Sequence, residues 1–219
     1  MARVRIWDLP TRLFHWLLAG CVLGLVITGN IGGNAMTWHF RLGYAVLTLL
    51  LFRFVWGFAG GYWSRWSRLA LAPAQVLAYL SGRLPGGPGH NPLGSWSVLC
   101  MLLGLLLQVS TGLLSDDEIS NAGPLSALVS GATVSAATAW HKGPGKLVLL
   151  VLVLTHLGAI VWYRVRRREA LVPPMLHGDK ALSEPVPASA DGTRARLLAL
   201  LIVLLCALGV SALVSLGAP

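Results

Sequence analysis

The sequence predicts an all-α, polytopic membrane protein. Three observations carry this. Of 219 residues, 55% are hydrophobic and only 11% charged, against about 25% charged in an average soluble domain. The mean hydropathy is +0.70. The apolar residues come in long unbroken runs and not in strict alternation, which excludes a membrane β-barrel. A soluble globular domain with so little charge could not cover its surface, and a disordered chain would not carry so many apolar residues.

Five apolar segments are expected to span: roughly 10–30, 37–58, 95–114, 141–163 and 196–216. At about 20 residues per span they use on the order of 100 residues. Charge is segregated among the connections. Arg3, Arg5 and Arg12 precede or open the first span, and Arg65, Arg68 and Arg83 lie between the second and third. Arg164, Arg166, Arg167, Arg168, Lys180, Arg194 and Arg196 lie between the fourth and fifth. The opposite loops hold no charge near 30–37 and only Asp116, Asp117 and Glu118 in the first part of 115–140. The formal charge of +9 is therefore read as a positive-inside signal and not as a nucleic-acid surface. It puts the N-terminus in the cytoplasm and the C-terminus in the periplasm of a bacterial inner membrane.

Each connection has its own reading. Asp8 with Pro10 behind it marks an N-cap and first turn, so the first helix starts near Leu9. Leu18-Ala19-Gly20-Cys21 looks like a lipoprotein cleavage box, but the apolar run continues to Thr28 and is long enough to span. The Gly/Pro-rich stretch 59–94 contains Pro73–Leu80, a short amphipathic helix suited to the membrane surface. Trp56, Trp63, Trp66 and Trp96 flank spans as interfacial anchors. Residues 169–193, with four prolines, are a linker to the last span, and in the domain division 181–195 is the linker and 196–216 an extra transmembrane helix. The main domain covers residues 1–180. Cys21, Cys100 and Cys206 are scattered, and neither CxxC nor CxxCH occurs. A cysteine-held cluster and a covalently attached haem both lack their residues.

The histidines carry the chemistry. Four of six, His15, His39, His141 and His156, fall in or at the ends of apolar segments, where an ionisable group is costly and points to function. His156 follows His141 by 15 residues, about 22 Å and close to four turns of one continuous helix. Depth counting then gives two cross-helix pairs: His15 with His156 toward the cytoplasm, His39 with His141 toward the outside. Facing imidazoles are what a six-coordinate b-type haem needs. A zinc site would want three or four ligands at one point. Gly43, one turn after His39, leaves room for a porphyrin; Gly104, Gly112 and Gly158 are weaker candidates. Arg41 near the outer pair, and Arg12 and Arg53 toward the inner one, are candidate partners for haem propionates. His90 is placed in the cytoplasmic loop as a non-ligand, and His177 as plain loop.

The segments WDLPTRLFHWLLA around His15, WHFRLGYAVLTLLLFRFVWGFAGG from Trp38, GHNPLGSW from Gly89, TGLLSDDE from Thr111 and WHKGPGKLVLLVLVLTH from Trp140 together resemble one family. It is the bacterial di-haem cytochrome b group of cytochrome b561 and the nickel–iron hydrogenase b-type cytochromes. The resemblance covers about the first 180 residues. It implies a four-helix haem-binding transmembrane bundle with axial ligands at His15, His39, His141 and His156, and two haem b. It also implies electron transfer between the membrane quinone pool and a periplasmic partner, a c-type cytochrome or a hydrogenase. One branch of the family oxidises superoxide, so a superoxide:quinone oxidoreductase is the alternative. The fifth span departs from the four-span pattern, and three roles are open to it: partner docking, a homo-oligomer surface, or an anchor in the lipid. Two readings from other classes are a proton-coupled transporter relaying through its histidines, which would be colourless, and a docking subunit with redox-inert haem. The acidic group Asp116, Asp117 and Glu118 is either a steering patch for a basic partner or a solvated loop end.

Overall fold

The structure is a computed structural model, and it describes residues 2–217. The chain begins with a short strand, β1 (Ala2–Arg5), followed by helices α1 (Leu9–Ile31), α2 (Met36–Ala59), α3 (Pro73–Leu80), α4 (Pro92–Leu114), α5 (Gly131–Lys142), α6 (Pro144–Arg166) and α7 (Val172–His177). Strand β2 (Asp179–Leu182) and helix α8 (Thr193–Ser215) complete it. Five helical runs are long and apolar enough to cross a membrane: Leu9–Ile31, Gly33–Ala59, Pro92–Leu114, Gly131–Arg166 and Thr193–Ser215. Their exposed side chains include Leu147, Val151, Leu154, Leu197, Leu201 and Leu205. Lipid, not water, is the solvent such surfaces fit, and a helix satisfies its own backbone there. The protein is thus of the all-α polytopic membrane class.

Two compact units are distinguished. The first comprises Met1–Phe14, Arg53–Met101 and Leu152–Ile202; the second comprises His15–Phe52, Leu102–Val151 and Val203–Pro219.

In the first unit the N-terminal segment is tied to the polar stretch that precedes α8. Strand β1 pairs antiparallel with β2, Ala2 opposite Leu182 and Arg5 opposite Asp179. Helix α7 ends on Gly178 at φ 93°, in the left-handed region that glycine enters without a Cβ penalty. The Gly178 carbonyl then accepts from Ile6 N at 2.9 Å and Trp7 N at 3.0 Å. Ser189 adds a second clamp: its hydroxyl donates to the Ile6 carbonyl at 2.7 Å and its N–H to the Arg5 carbonyl at 2.8 Å. The proline-rich stretch expected as a plain linker is therefore ordered. Its polar groups find partners on the N-terminal segment, a long-range pairing that no local pattern announces.

Helix α1 starts at Leu9, with Asp8 Oδ1 accepting from Thr11 N at 2.8 Å. Asp8 is more than a cap, because it is fully buried. Its Oδ1 also accepts from Trp56 Nε1 at 3.1 Å and its Oδ2 from the Ser64 hydroxyl at 2.6 Å. Trp56 accordingly departs from the anchoring role expected of it: it is fully buried, its indole N–H spent on a carboxylate. Trp63 and Trp96 donate to the Pro187 and Leu71 carbonyls, and Trp66 to that of Phe54. Helix α3 occupies Pro73–Leu80 with a proline in its first turn and Leu77 and Leu80 exposed.

In the second unit α2 buries Val46, Leu47, Leu49, Leu50 and Phe52, α4 buries Leu105, Val109 and Leu113, and α8 buries Val210. The helical run leading into the fourth span begins at Gly131, earlier than the expected 141, with the Ser130 side chain accepting from Thr133 N as N-cap. That run is broken at Gly143, whose φ of −111° and ψ of −104° lie outside the helix. Pro144 is the cause: it has no N–H to give, and its ring disfavours the helical conformation in the residue before it. Hydrogen bonds from Gly143 N to Ala139 O and from Leu147 N to Gly143 O flank the break. His141 and His156 therefore stand on two helices, α5 and α6. The argument that put them on one face of a continuous helix loses its premise, and their roles rest on other grounds.

Candidate functional site

His39, in the first turn of α2, and His141, one residue before the end of α5, meet in the second unit. Their ring centroids are 6.1 Å apart and their planes cross at 88°. Each ring is held from behind by a helix backbone. Nδ1 of His39 lies 3.1 Å from the Leu25 carbonyl and 3.3 Å from the Thr28 hydroxyl, both on α1. Nδ1 of His141 lies 2.8 Å from the Gln108 carbonyl on α4. A carbonyl only accepts, so Nδ1 carries the proton in both rings. That tautomer, assigned from the hydrogen-bond network, leaves Nε2 as a neutral lone-pair donor.

Small residues make these contacts possible. A Cβ on Gly112 would stand 2.7 Å from His141 Cε1, and one on Gly29 would stand 3.0 Å from His39 Cε1. Gly112 therefore seats an imidazole. Around Gly43 a Cβ would meet nothing within 4 Å, so that face of α2 is open.

The other expected ligands are placed differently. His15 belongs to the second unit and stands edge-on to Trp16 at 4.9 Å. His156, on α6, belongs to the first unit, and both side chains are partly exposed. Their pairing stays an expectation from sequence.

Of the expected arginines, Arg53 is the most confined. Only 4% of it is exposed, its guanidinium stacks over Trp66 at 4.2 Å, and its buried Nη1 has no hydrogen-bond partner. Asp8 is its electrostatic counterpart. Arg12 is engaged with residues between α6 and α8: Nη1 donates to the Leu176 carbonyl at 2.6 Å and Nη2 lies 3.9 Å from Asp191. Its Nε is buried without a partner. Arg41 is exposed and lies over Trp38 at 5.1 Å. His90 packs against Trp7 at 4.7 Å. His177 closes the last turn of α7, Nδ1 accepting from Asp179 N at 3.2 Å.

The acidic group in 115–140 is largely occupied by its own loop. Asp117 Oδ1 accepts from the backbone N–H of Ile119, Ser120 and Asn121, and Oδ2 accepts from the Asn121 amide. The Asn121 side chain and these N–H groups hold its carboxyl well below the usual range. Asp116 Oδ1 accepts from Glu118 N, whose residue sits at φ 59°. This favours a solvated loop end over a steering patch.

Sequence reasoning missed Leu25, Gly29 and Gln108. Leu25 and Gln108 act through their main-chain carbonyls, which side-chain identity does not reveal. The signal available was a glycine four residues after each of them.

These residues fit a b-type haem better than a bare metal ion. Two imidazoles sharing one metal at bonds of about 2.0–2.1 Å have centroids on the order of 6 Å apart, the separation seen between His39 and His141. Among the described residues no group of three or more His, Cys, Asp or Glu converges as a metal site. The three cysteines are free. An unpartnered guanidinium nitrogen on buried Arg53 is a donor suited to a carboxylate-bearing cofactor.

A helical membrane protein with facing imidazoles and no covalent haem motif defines a class, the membrane b-type cytochromes. A match of residues 6–178 to the family described as prokaryotic cytochrome b561 agrees. The chain belongs to that family, and with it to the haem b electron-transport proteins of membranes. Curated relatives are distant. A "Probable Ni/Fe-hydrogenase B-type cytochrome subunit" of Rhizobium leguminosarum bv. viciae is 22% identical over 83% of this chain and 90% of its own length. Its namesake from Azotobacter chroococcum is 24% identical over 84% and 91%. A "Probable Ni/Fe-hydrogenase 1 B-type cytochrome subunit" of Escherichia coli K12 is 25% identical over 49% and 57%. No solved structure matches the chain.

Proposed function

We propose that the protein carries two haem b and passes electrons across the bacterial cytoplasmic membrane, between the quinone pool and a periplasmic redox partner. The observation that supports this best is the His39–His141 pair, with each Nδ1 on a helix carbonyl and each Nε2 left as a donor. His39 and His141 hold one haem; His15 and His156 hold the other. Bound haem supplies one-electron oxidation and reduction, and the protein does the rest. Its carbonyls fix the imidazole tautomers. Its apolar helices exclude water, and haem held by two histidines would supply one-electron transfer in preference to oxygen chemistry. Arg53 and Arg12 would neutralise propionates, with Arg41 as a further candidate for the other haem, and Gly43 would leave room for a porphyrin.

A hydrogenase is the partner named for the relatives, and it is the first to try here; a c-type cytochrome is the second. The N-terminus is cytoplasmic and the C-terminus periplasmic, as the arginine distribution implies.

The test is spectroscopic. Purified protein should yield two haems per chain, all extracted by acid-acetone, and a quinol analogue should reduce both. Oxidised c-type cytochrome in a periplasmic extract should then reoxidise them, whereas a hydrogenase partner should instead reduce the oxidised haems, with H2 as its electron donor. A stoichiometry of one, or haems that stay oxidised under quinol at potentials where they are reducible, would overturn the corresponding half of the proposal. Rapid reduction by superoxide in place of quinol would make a superoxide:quinone oxidoreductase the better reading.

A further inference from the structure

The seats of His39 and His141 are built alike. Each ring nitrogen meets the carbonyl of residue i on a neighbouring helix, and residue i+4 of that helix is glycine: Leu25 with Gly29 on α1, Gln108 with Gly112 on α4. A helical side chain covers the turn N-terminal to its own Cα. A residue with a side chain at i+4 would therefore lie over the carbonyl of residue i, and glycine uncovers it. At Gly112 an added Cβ would stand 3.1 Å from His141 Nδ1, and at Gly29 3.2 Å from His39 Nδ1.

Gln108 does a second thing. Its side-chain Nε2 donates to the main-chain carbonyl of His141 at 2.8 Å. His141 lies in the last turn of α5, and the next helix begins with Pro144. Carbonyls at a helix end lack their usual partners and must be capped from elsewhere. Gln108 thus holds one histidine at two points, the ring through its own carbonyl and the backbone through its amide. The other end of that amide, Oε1, is buried without a hydrogen bond. Such an atom is costly, and methionine of similar length would avoid the cost. What the amide offers in return is its N–H to the His141 carbonyl.

We infer that Gln108 is a positioning residue for the His141 haem ligand, and that Gln108 and Gly112 together fix the Nδ1–H tautomer, the angle and the basicity of that imidazole. Hydrogen bonding to the far nitrogen of a metal-bound imidazole raises its basicity, so loosening the seat raises the reduction potential of that one haem. This rests on the proposal that His141 ligates haem.

The experiment compares Gln108→Met and Gly112→Ala with His141→Ala and with Gly20→Ala, where an added Cβ meets nothing. Each variant is purified with its haem. Haem content, a redox titration of the α-band and the low-spin electron paramagnetic resonance signals are recorded. His141→Ala should lose one haem. Gly112→Ala should lose the same one, leaving the spectrum of His141→Ala. Gln108→Met should keep both haems, raise the potential of that haem and move its low-spin signal, with the other haem and Gly20→Ala unchanged. If His141→Ala keeps full haem, the underlying ligand assignment fails, and the inference with it. If His141→Ala loses a haem while Gln108→Met shifts nothing, or shifts both haems alike, the inference fails and the ligand assignment stands. Retention of full haem at an unshifted potential in Gly112→Ala overturns the seat independently of how Gln108→Met behaves.

Discussion

Trp56 donates its indole N–H to the carboxylate of Asp8 at 3.1 Å, and neither residue reaches solvent. The same carboxylate takes the Thr11 N–H and the Ser64 hydroxyl, so three donors from three segments converge on one side chain. Asp8→Ala removes the carboxylate that accepts from Thr11 N–H and Trp56 Nε1, leaves the Ser64 hydroxyl with the Thr11 hydroxyl at 2.7 Å, and takes the counter-charge from Arg53. A cost of about 3 kcal/mol is expected, since breaking a buried charged network leaves its partners unpaired. Thermal unfolding in detergent, followed by tryptophan fluorescence, should show a lower midpoint than wild type; an unchanged midpoint would mean the network is not stabilising.

Asp191 ties the start of α8 to the N-terminal segment. It accepts from Leu9 N at 2.9 Å, Arg5 at 2.5 Å and Arg196 at 3.3 Å. Burial by itself would raise its pKa, but the Leu9 N–H, Arg196 and Arg5 outweigh burial and hold the carboxyl below its ordinary value. The folded pKa being lower than the unfolded one, the stabilisation is complete above the usual carboxylate range near pH ~3.9. It is lost as the pH falls through the lowered native value. Acid unfolding should lose part of its pH dependence in Asp191→Asn. Asp191→Ala should cost about 2 kcal/mol at neutral pH through lost charge-assisted bonds. A wild-type acid limb in Asp191→Asn would count against this role.

If the chain holds two haems as proposed, histidine substitutions should separate them. His39→Ala and His141→Ala are expected to remove the same haem, leaving superimposable spectra. His15→Ala and His156→Ala should remove the other. Pairing of any other kind, such as His39 with His15, would appear as matching spectra in the wrong two variants.

The arginine distribution implies an orientation that fusions can test. Arg194 and Arg196 stand in the first turn of α8, and no charged residue follows them. A C-terminal alkaline phosphatase fusion should be active and a fluorescent-protein fusion at the same point dark. The reverse pattern would place the C-terminus in the cytoplasm.

Much of this protein was legible from its sequence because its solvent is lipid. A span must be long, apolar and helical to satisfy its backbone in hydrocarbon, so segment existence follows from composition, and α1, α3 and α4 fall where the apolar runs and caps indicated. His39 and His141 stand out in the sequence for the same reason, since imidazole at membrane depth is costly, and the structure brings their rings to 6.1 Å. What only the tertiary structure decided is long-range and carried by main-chain atoms. That Asp8 is a buried hub beyond its role as a cap and that Trp56 serves it and not the interface depend on groups brought from 48 and 56 positions away, and the clamp of residues 172–191 on the N-terminal segment on groups 183 positions away. The break at Gly143 was written in Pro144 but hidden by an otherwise continuous apolar run. The seats at Leu25 and Gln108 lie in carbonyls every residue possesses; glycine four residues later exposes them, and only a neighbouring helix delivering an imidazole gives that exposure a purpose.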